Sequence, residues 1–392
     1  MKHTIFNMLL FLCTAMPLGI FVSCSDEIPQ PTPTLEGNTV IIYMGAENSL
    51  SSFSNSDLFE ITEATERIPE NCQVVVFRDS EFKPSIYHFT KNGRTTWKDY
   101  DAEVNSADAN TFESILREII QNFPSRKYSL VLWSHGTGWI DQSRSMQRSI
   151  IIDNNKNSFS NNGTWLHTYE LAATLAKLPK MEFIMFDACF MQSAEVACEL
   201  YPYCKYIIGS PAEIPSEGAP YHLILNALCR ADIQGIIENY ALGYSKDEGV
   251  ALSAVCSENF PSFCEETAKH IPFIFSKSSM PSTQGIQIYS PASYANKMPI
   301  AYDIRSAMHK LLDEVAYATW DKEWQKAILY PYCANRWASQ YSGTDHHTLT
   351  DPMHYGGISF NIPDEQHQLY GWDTMFSHTQ WYWKTGWSAT GW

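Results

Sequence analysis

Ser129-Leu130-Val131-Leu132-Trp133-Ser134 runs into His135-Gly136, and farther along Phe183-Ile184-Met185-Phe186 runs into Asp187-Ala188-Cys189. Each is a short continuous apolar run, the pattern of a strand buried on both faces of a parallel sheet. Each ends on a group with acid–base or nucleophilic chemistry. Ligand and catalytic groups of such sheets gather just beyond the carboxyl ends of the strands, so His135 and Cys189 are expected on one edge. A thiol becomes a useful nucleophile when a base stands beside it or its pKa is lowered, and a His at a neighbouring strand end supplies the base. The pair predicts a cysteine hydrolase. Gly136, directly after the histidine, lets a substrate backbone come close.

Outward from these strands the chain alternates. Thr39 to Met44 and Cys72 to Phe77 read as buried strands, and Ile86 to Thr90 with Arg94 to Tyr100 read as a hairpin turned by Asn92-Gly93. From Asn110 to Asn122, Phe112, Ile115, Leu116, Ile119 and Ile120 share one helical face, and the helix stops before Pro124. A polar loop from Asp141 to Gly163 is interrupted only by Ile150-Ile151-Ile152. Helices are expected from Tyr169 to Leu178 and from Met191 to Leu200, with a strand at Tyr206 to Gly209. The loop Ser210 to Ala219 should emerge on the side of His135 and Cys189. Strands and helices in this order indicate an α/β sandwich with right-handed crossovers.

After residue 256 the pattern changes to helices near Phe260 to Phe275 and Tyr302 to Tyr317, with strands at Ile286 to Tyr289 and Ile358 to Ile362. Eight of the twelve tryptophans follow residue 319. They form either an exposed platform for sugar or peptide, or a packed accessory subdomain, which is the cheaper explanation.

Forty-three acids against 27 bases give a formal net charge of −16, which argues against a nucleic-acid partner. At the N-terminus, Lys2 precedes an apolar stretch from Ile5 to Val22 that is broken by Pro17 and Gly19, the pattern of a cleaved secretion signal. Phe21-Val22-Ser23-Cys24 resembles a bacterial lipobox, with Phe in place of the usual Leu, and implies lipidation of Cys24. The acidic Ser25-Asp26-Glu27 after it resembles a surface-export signal of bacterial lipoproteins. Residues 1–23 are therefore expected to be signal, 24–37 a lipidated Cys and Pro/Thr linker, 38–256 the catalytic domain and 257–392 the accessory region, with strands of its own to lend to the main sheet. Of the ten cysteines, Cys198 and Cys204 are the first pair to suspect of a disulfide, against the alternative of ordinary buried thiols. No Cys-x-x-Cys or His-Glu-x-x-His pattern supports zinc, and Asp345-His346-His347 reads as a solvated triplet.

The two strand ends resemble those of the clostripain-like cysteine peptidases, which share a caspase-like α/β/α sandwich around a mostly parallel sheet. The likeness rests on Leu130 to Gly138, on Phe183 to Cys189 with Met191, on Arg148-Ser149-Ile150 with Asp153, on Tyr169-Glu170-Leu171, and on Gly209-Ser210 leading to Glu217-Gly218-Ala219-Pro220-Tyr221. It covers roughly residues 38 to 290 and fades towards the C-terminus. By this resemblance Cys189 is the nucleophile and His135 the general base and acid, acting as a dyad. The backbone N–H groups of Gly136 and Cys189 would make the oxyanion hole. The resemblance also implies cleavage of peptide or protein substrates after Arg or Lys, with Glu217 holding the cation, and self-cleavage after Arg148, with Arg144 and Lys156 as lesser sites. Asp187 either lines the substrate pocket or caps the helix that follows. No cofactor is expected: family members differ in their use of calcium, and no Asp-rich EF-hand loop is present. The rival expectation is an inactive surface lipoprotein that uses the scaffold and its aromatic region to bind glycan or protein at the cell envelope.

Overall fold

The computed structural model describes residues 35–140, 149–154, 163–291, 299–339 and 346–392. Nine strands form its main sheet: β1 (Leu35–Gly45), β2 (Gln73–Asp79), β3 (Ser85–Thr90), β4 (Gly93–Asp99), β5 (Ser125–Trp133), β6 (Met181–Asp187), β7 (Cys204–Gly209), β8 (Ala251–Cys256) and β9 (Ile328–Cys333). Their order across the sheet is β9-β8-β7-β6-β5-β1-β2-β3-β4. The central β7-β6-β5-β1-β2 block is parallel. Antiparallel strands close both edges.

Successive strand residues point to opposite faces, and here both faces are covered. Ile41, Tyr43, Leu130, Leu132, Ile184 and Phe186 pack on one side against helices α2 (Ala109–Asn122), α3 (Thr168–Leu175) and α4 (Ala194–Leu200). Val40, Ile42, Val131, Trp133, Phe183 and Met185 pack on the other against α1 (Ser51–Glu63), α5 (Tyr221–Arg230) and α6 (Ile233–Leu242). The result is the expected α/β/α sandwich. Each such side chain, fully buried, contributes about 1.5–3 kcal/mol, which is why the central runs read as continuously apolar. The Asn92-Gly93 turn joins β3 and β4, with Gly93 at φ +115°.

Past residue 256 two expectations are corrected. The single helix expected from Phe260 to Phe275 is two, Phe260–Ala268 and Ile271–Ile274. The one expected from Tyr302 to Tyr317 divides into a strand, Ala301–Asp303, and two helices, Ile304–Leu311 and Glu314–Ala327. Side-chain caps decide the breaks: Asp303 accepts from the Ser306 N–H at 2.9 Å, and Asp313 from those of Val315 and Ala316 at 3.0 and 2.9 Å. Trp320, Trp337, Trp372, Trp381 and Trp387 are fully buried, so the tryptophan-rich region is a packed body rather than an aromatic platform. Trp383 is exposed.

Cys198 and Cys204 are both free thiols, as are the other described cysteines, which corrects the suspected disulfide. Cys204 Sγ donates to the Leu200 carbonyl at 3.7 Å and also meets Ser257 Oγ, while Cys198 sits beside Cys264.

Candidate active site

Register places the two motifs together. Trp133 at the end of β5 pairs with Asp187 at the end of β6, so His135 and Cys189 each lie two residues past a paired position on parallel neighbours. The glycine after the histidine is essential to the approach. A Cβ on Gly136 would fall 2.6 Å from the Cys189 carbonyl oxygen and 3.0 Å from Ala188 Cβ. Behind it, the Ser134 N–H donates to the Asp187 carbonyl at 3.4 Å and the Ile151 N–H to the His135 carbonyl at 3.2 Å. His135 Nε2 lies 2.9 Å from Ser49 Oγ, at the end of the loop after β1.

Cys189 is partly covered by the loop after β7. The Ile214 N–H donates to Cys189 Sγ at 3.4 Å, and the Phe190 N–H to the Ala212 carbonyl at 2.9 Å. Burial, with Glu213 and Asp187 adding like charge, pushes the Cys189 thiol up to about 12, above what the Ile214 N–H recovers. In this arrangement the sulfur carries its proton at neutral pH. Among the described residues neither the Gly136 nor the Cys189 N–H donates to a backbone carbonyl.

Asp187 is buried and does not cap the following helix. Ser193 does, accepting from the Val196 N–H at 3.2 Å, and α4 begins only at Ala194 rather than at Met191. The Asp187 carboxylate instead accepts from the Ala219 N–H at 3.0 and 3.1 Å, from Tyr221 Oη at 3.0 Å and from Tyr240 Oη at 3.2 Å. Burial raises its pKa to about 6 against those bonds. Gly218, at φ +65°, lies over it, where a Cβ would sit 3.0 Å from Asp187 Oδ2. Glu217 is exposed beside it, and Glu213 is buried.

Sequence reasoning missed Asp57, on α1. It is buried, accepts from Trp133 Nε1 at 2.6 Å, and is raised to about 9 by burial and by the field of Asp187. No signal pointed to it: α1 is Ser-rich and buries only Leu58 and Ile61 as large apolar groups. Ser49 was missed because it lies in the polar turn after β1. Cys24, Arg144, Arg148 and Lys156 lie outside the described residues. Of the Asp345-His346-His347 triplet, His346 pairs with Glu248.

The profile of the clostripain family matches residues 42–392. The chain belongs to that family. The match runs to the last residue, so the family likeness does not fade near residue 290 as the motifs alone indicate. Clostripain of Hathewaya histolytica is 27% identical over 101 residues, 26% of this chain and 19% of that protein. This chain thus matches under a fifth of that curated relative's length. A secreted C11 cysteine protease of Bacteroides thetaiotaomicron, solved with an irreversible peptide inhibitor, superposes with a TM-score of 0.76 at 24% identity, over 90% of this chain and 99% of that one. An inactive zymogen C11 protease of Parabacteroides distasonis gives 0.75 at 25% identity, with the same coverage. The clostripain-family fold therefore includes the C-terminal region. Its β9 is an edge strand of the main sheet, and the Ser359 N–H donates to the Gln192 carbonyl at 3.0 Å, just past Cys189.

Proposed function

We propose that this clostripain-family protein is a cysteine endopeptidase that cleaves after Arg or Lys, with Cys189 as nucleophile and His135 as base and acid. The observation that carries the reading is the apposition of the two loops through Gly136, which leaves no room for even a methyl group between them. Cys189 Sγ attacks the scissile carbonyl, His135 takes the thiol proton and returns it to the leaving amine, and the Gly136 and Cys189 N–H groups receive the oxyanion. Preference for a cation follows from two acids on this side of the sheet, Asp187, whose charge Cys189 feels, and the exposed Glu217 next to the Gly218 that lies over it. The rival role as an inactive aromatic binding platform loses its support with the burial of the tryptophans.

The covered, protonated thiol suits a precursor, and one solved relative is an inactive zymogen. Cleavage after Arg148, or after Arg144 or Lys156, would cut the connection between the two catalytic loops. Ser149 just beyond is buried, with its Oγ 2.7 Å from Thr168 Oγ1. Wild type and Cys189→Ala, each incubated with an Arg- or Lys-directed electrophilic peptide, test this on one gel. Wild type is expected to be cut in the 141–162 interval and labelled at Cys189, and the variant neither. Label on another cysteine, or equal cutting of both proteins, would refute the assignment.

The envelope location rests on the Cys24 motif, since among the described residues no helix is long and apolar enough to cross a membrane. Cys24→Ala is expected to move the protein from the membrane fraction to the soluble one, and an unchanged distribution would exclude the anchor.

A further inference from the structure

Two histidines and an aspartate converge where the helix Ile304–Leu311 meets the segment that follows the His346–Thr348 strand. His309 is exposed in the last turn of that helix, and Asp351 and His354 are half-buried. One ligand atom from each lies within 4.8 Å of the other two. The imidazole rings of His309 and His354 are stacked, with centroids 3.3 Å apart and planes 12° from parallel. Tyr317 stands edge-on to both, at 5.0 and 6.1 Å. Aromatic pairs otherwise favour offset or edge-to-face contact, and two imidazolium charges would repel strongly at so short a separation. Desolvation and the charge of His354 both hold His309 below its ordinary pKa. The pair therefore presents neutral imidazole, the form that ligates metals.

The segment that carries Asp351 and His354 is held from several sides. Gln287 Oε1 accepts from the Thr350 and Asp351 N–H groups at 2.6 and 3.2 Å. Asp351 Oδ1 accepts from the His354 N–H at 3.2 Å and lies 3.0 Å from His354 Nδ1. Ser306, one turn before His309 on the helix, donates its hydroxyl to Asp351 Oδ2 at 3.2 Å. The neighbouring cation, Arg305, pairs with Asp321 at 2.8 Å and lies over the Trp324 ring, so among the described residues the ion-pair partner of Asp351 is His354.

We propose that His309, Asp351 and His354 bind a borderline divalent cation of the zinc type. Two imidazole nitrogens and one carboxylate oxygen are the three protein ligands of an open tetrahedral site, with water in the fourth position. The donor set selects against calcium and magnesium, which take oxygen ligands. His309, exposed at a helix end, has room to turn its ring so that its lone pair and that of His354 meet on one ion, and Ser306 supplies the outer hydrogen bond that orients the carboxylate. Such an ion would tie the helix to the segment that runs through Gly356 into the Ser359–Phe360 strand. The Gly356 N–H already donates to Asp303, the cap of that helix, at 2.7 Å. The ion therefore braces the strand whose Ser359 N–H reaches the Gln192 carbonyl.

The test reads binding, not peptidase activity, so its outcome stands apart from that of the proposed function. The untagged protein carrying Cys189→Ala, which keeps zinc off the proposed catalytic thiol, is stripped with a chelator and titrated with zinc chloride by calorimetry, with thermal unfolding in parallel. It is expected to bind one zinc ion and to gain about 3–5 °C in Tm at roughly a hundredfold excess over Kd. His309→Ala in the same background is expected to weaken zinc binding at least tenfold and to abolish the gain. An exposed control, His378→Ala, should change neither. Should His309→Ala fail to fold, His354→Ala carries the same expectation. Calcium chloride is expected to give no heat that depends on His309. No heat and no Tm shift with zinc would overturn the proposal, as would zinc binding of equal strength in the His309 and His354 variants.

Discussion

Two acids near Cys189 differ in what surrounds them. Asp187 is held by three donor groups in the interior, so its position is set by the fold, whereas Glu217 is exposed on the loop and is free to follow a ligand. A solvated charge at a pocket rim is worth little because water screens it. Glu217→Gln is therefore expected to lower kcat/KM for an Arg substrate by only about two- to fivefold, with no change for an uncharged residue at the same subsite. Parallel assays on a matched peptide pair would show this. Equal losses on both peptides would remove Glu217 from the pocket. Asp57 shows why residue identity alone is a poor guide here: its importance comes from burial against Trp133 and from the field of Asp187, neither of which its neighbours in sequence announce.

At the scale of elements, strand register does most of the placing. With Trp133 opposite Asp187, only short turns separate the strand ends from His135 and Cys189, and the turns meet because residue 136 lacks a side chain. Gly136→Ala is expected to force the loops apart, costing about 1–3 kcal/mol of stability and at least a hundredfold in kcat/KM. Gly93→Ala serves as the comparison. Its added Cβ meets nothing within 4 Å, but φ +115° strains it by a similar ~1–3 kcal/mol, far from the site. Activity retained by Gly93→Ala and lost by Gly136→Ala in denaturation and rate measurements would separate geometry from stability. Comparable activity in both would show that the approach of the two loops is not what the chemistry requires.

Across the whole molecule, the buried acids set a pH dependence. Burial raises Asp57 and Asp79 from 3.8 to about 9 and Glu195 from 4.5 to about 7. Folded pKa values above the unfolded ones mean that the folded state holds more protons. Their contribution to stability is complete below the unfolded pKa and is lost as pH rises through the folded one. His367, lowered to about 4 by burial, acts in the opposite direction, but only below its ordinary 6.5. Cys72, lowered to about 6 by its hydrogen bond with Cys229, opposes the trend at higher pH, one group against three. Tm is therefore expected to fall between pH 6.5 and pH 8.5. Thermal melts at several pH values check it, and a Tm that rises over that interval would show that these acids are not protonated in the fold.

What the sequence determined by itself was the central sheet, because strands such as Leu130–Trp133 and Phe183–Phe186 are buried on both faces and must be apolar at every position. Local chemistry was also enough for the Asn92-Gly93 turn, whose backbone conformation only a few residue types tolerate. Only the tertiary structure decided the rest. Helix α1 buries just Leu58 and Ile61 as large apolar groups, so its periodicity is too faint to read. The partners of Asp57, Asp187 and Asp79 come from segments far apart in the chain, and a carboxylate's environment, unlike its identity, is written in no local pattern. The closeness of His135 and Cys189 followed from strand order. The covering of the thiol did not, because it depends on where the 210–219 loop comes to rest.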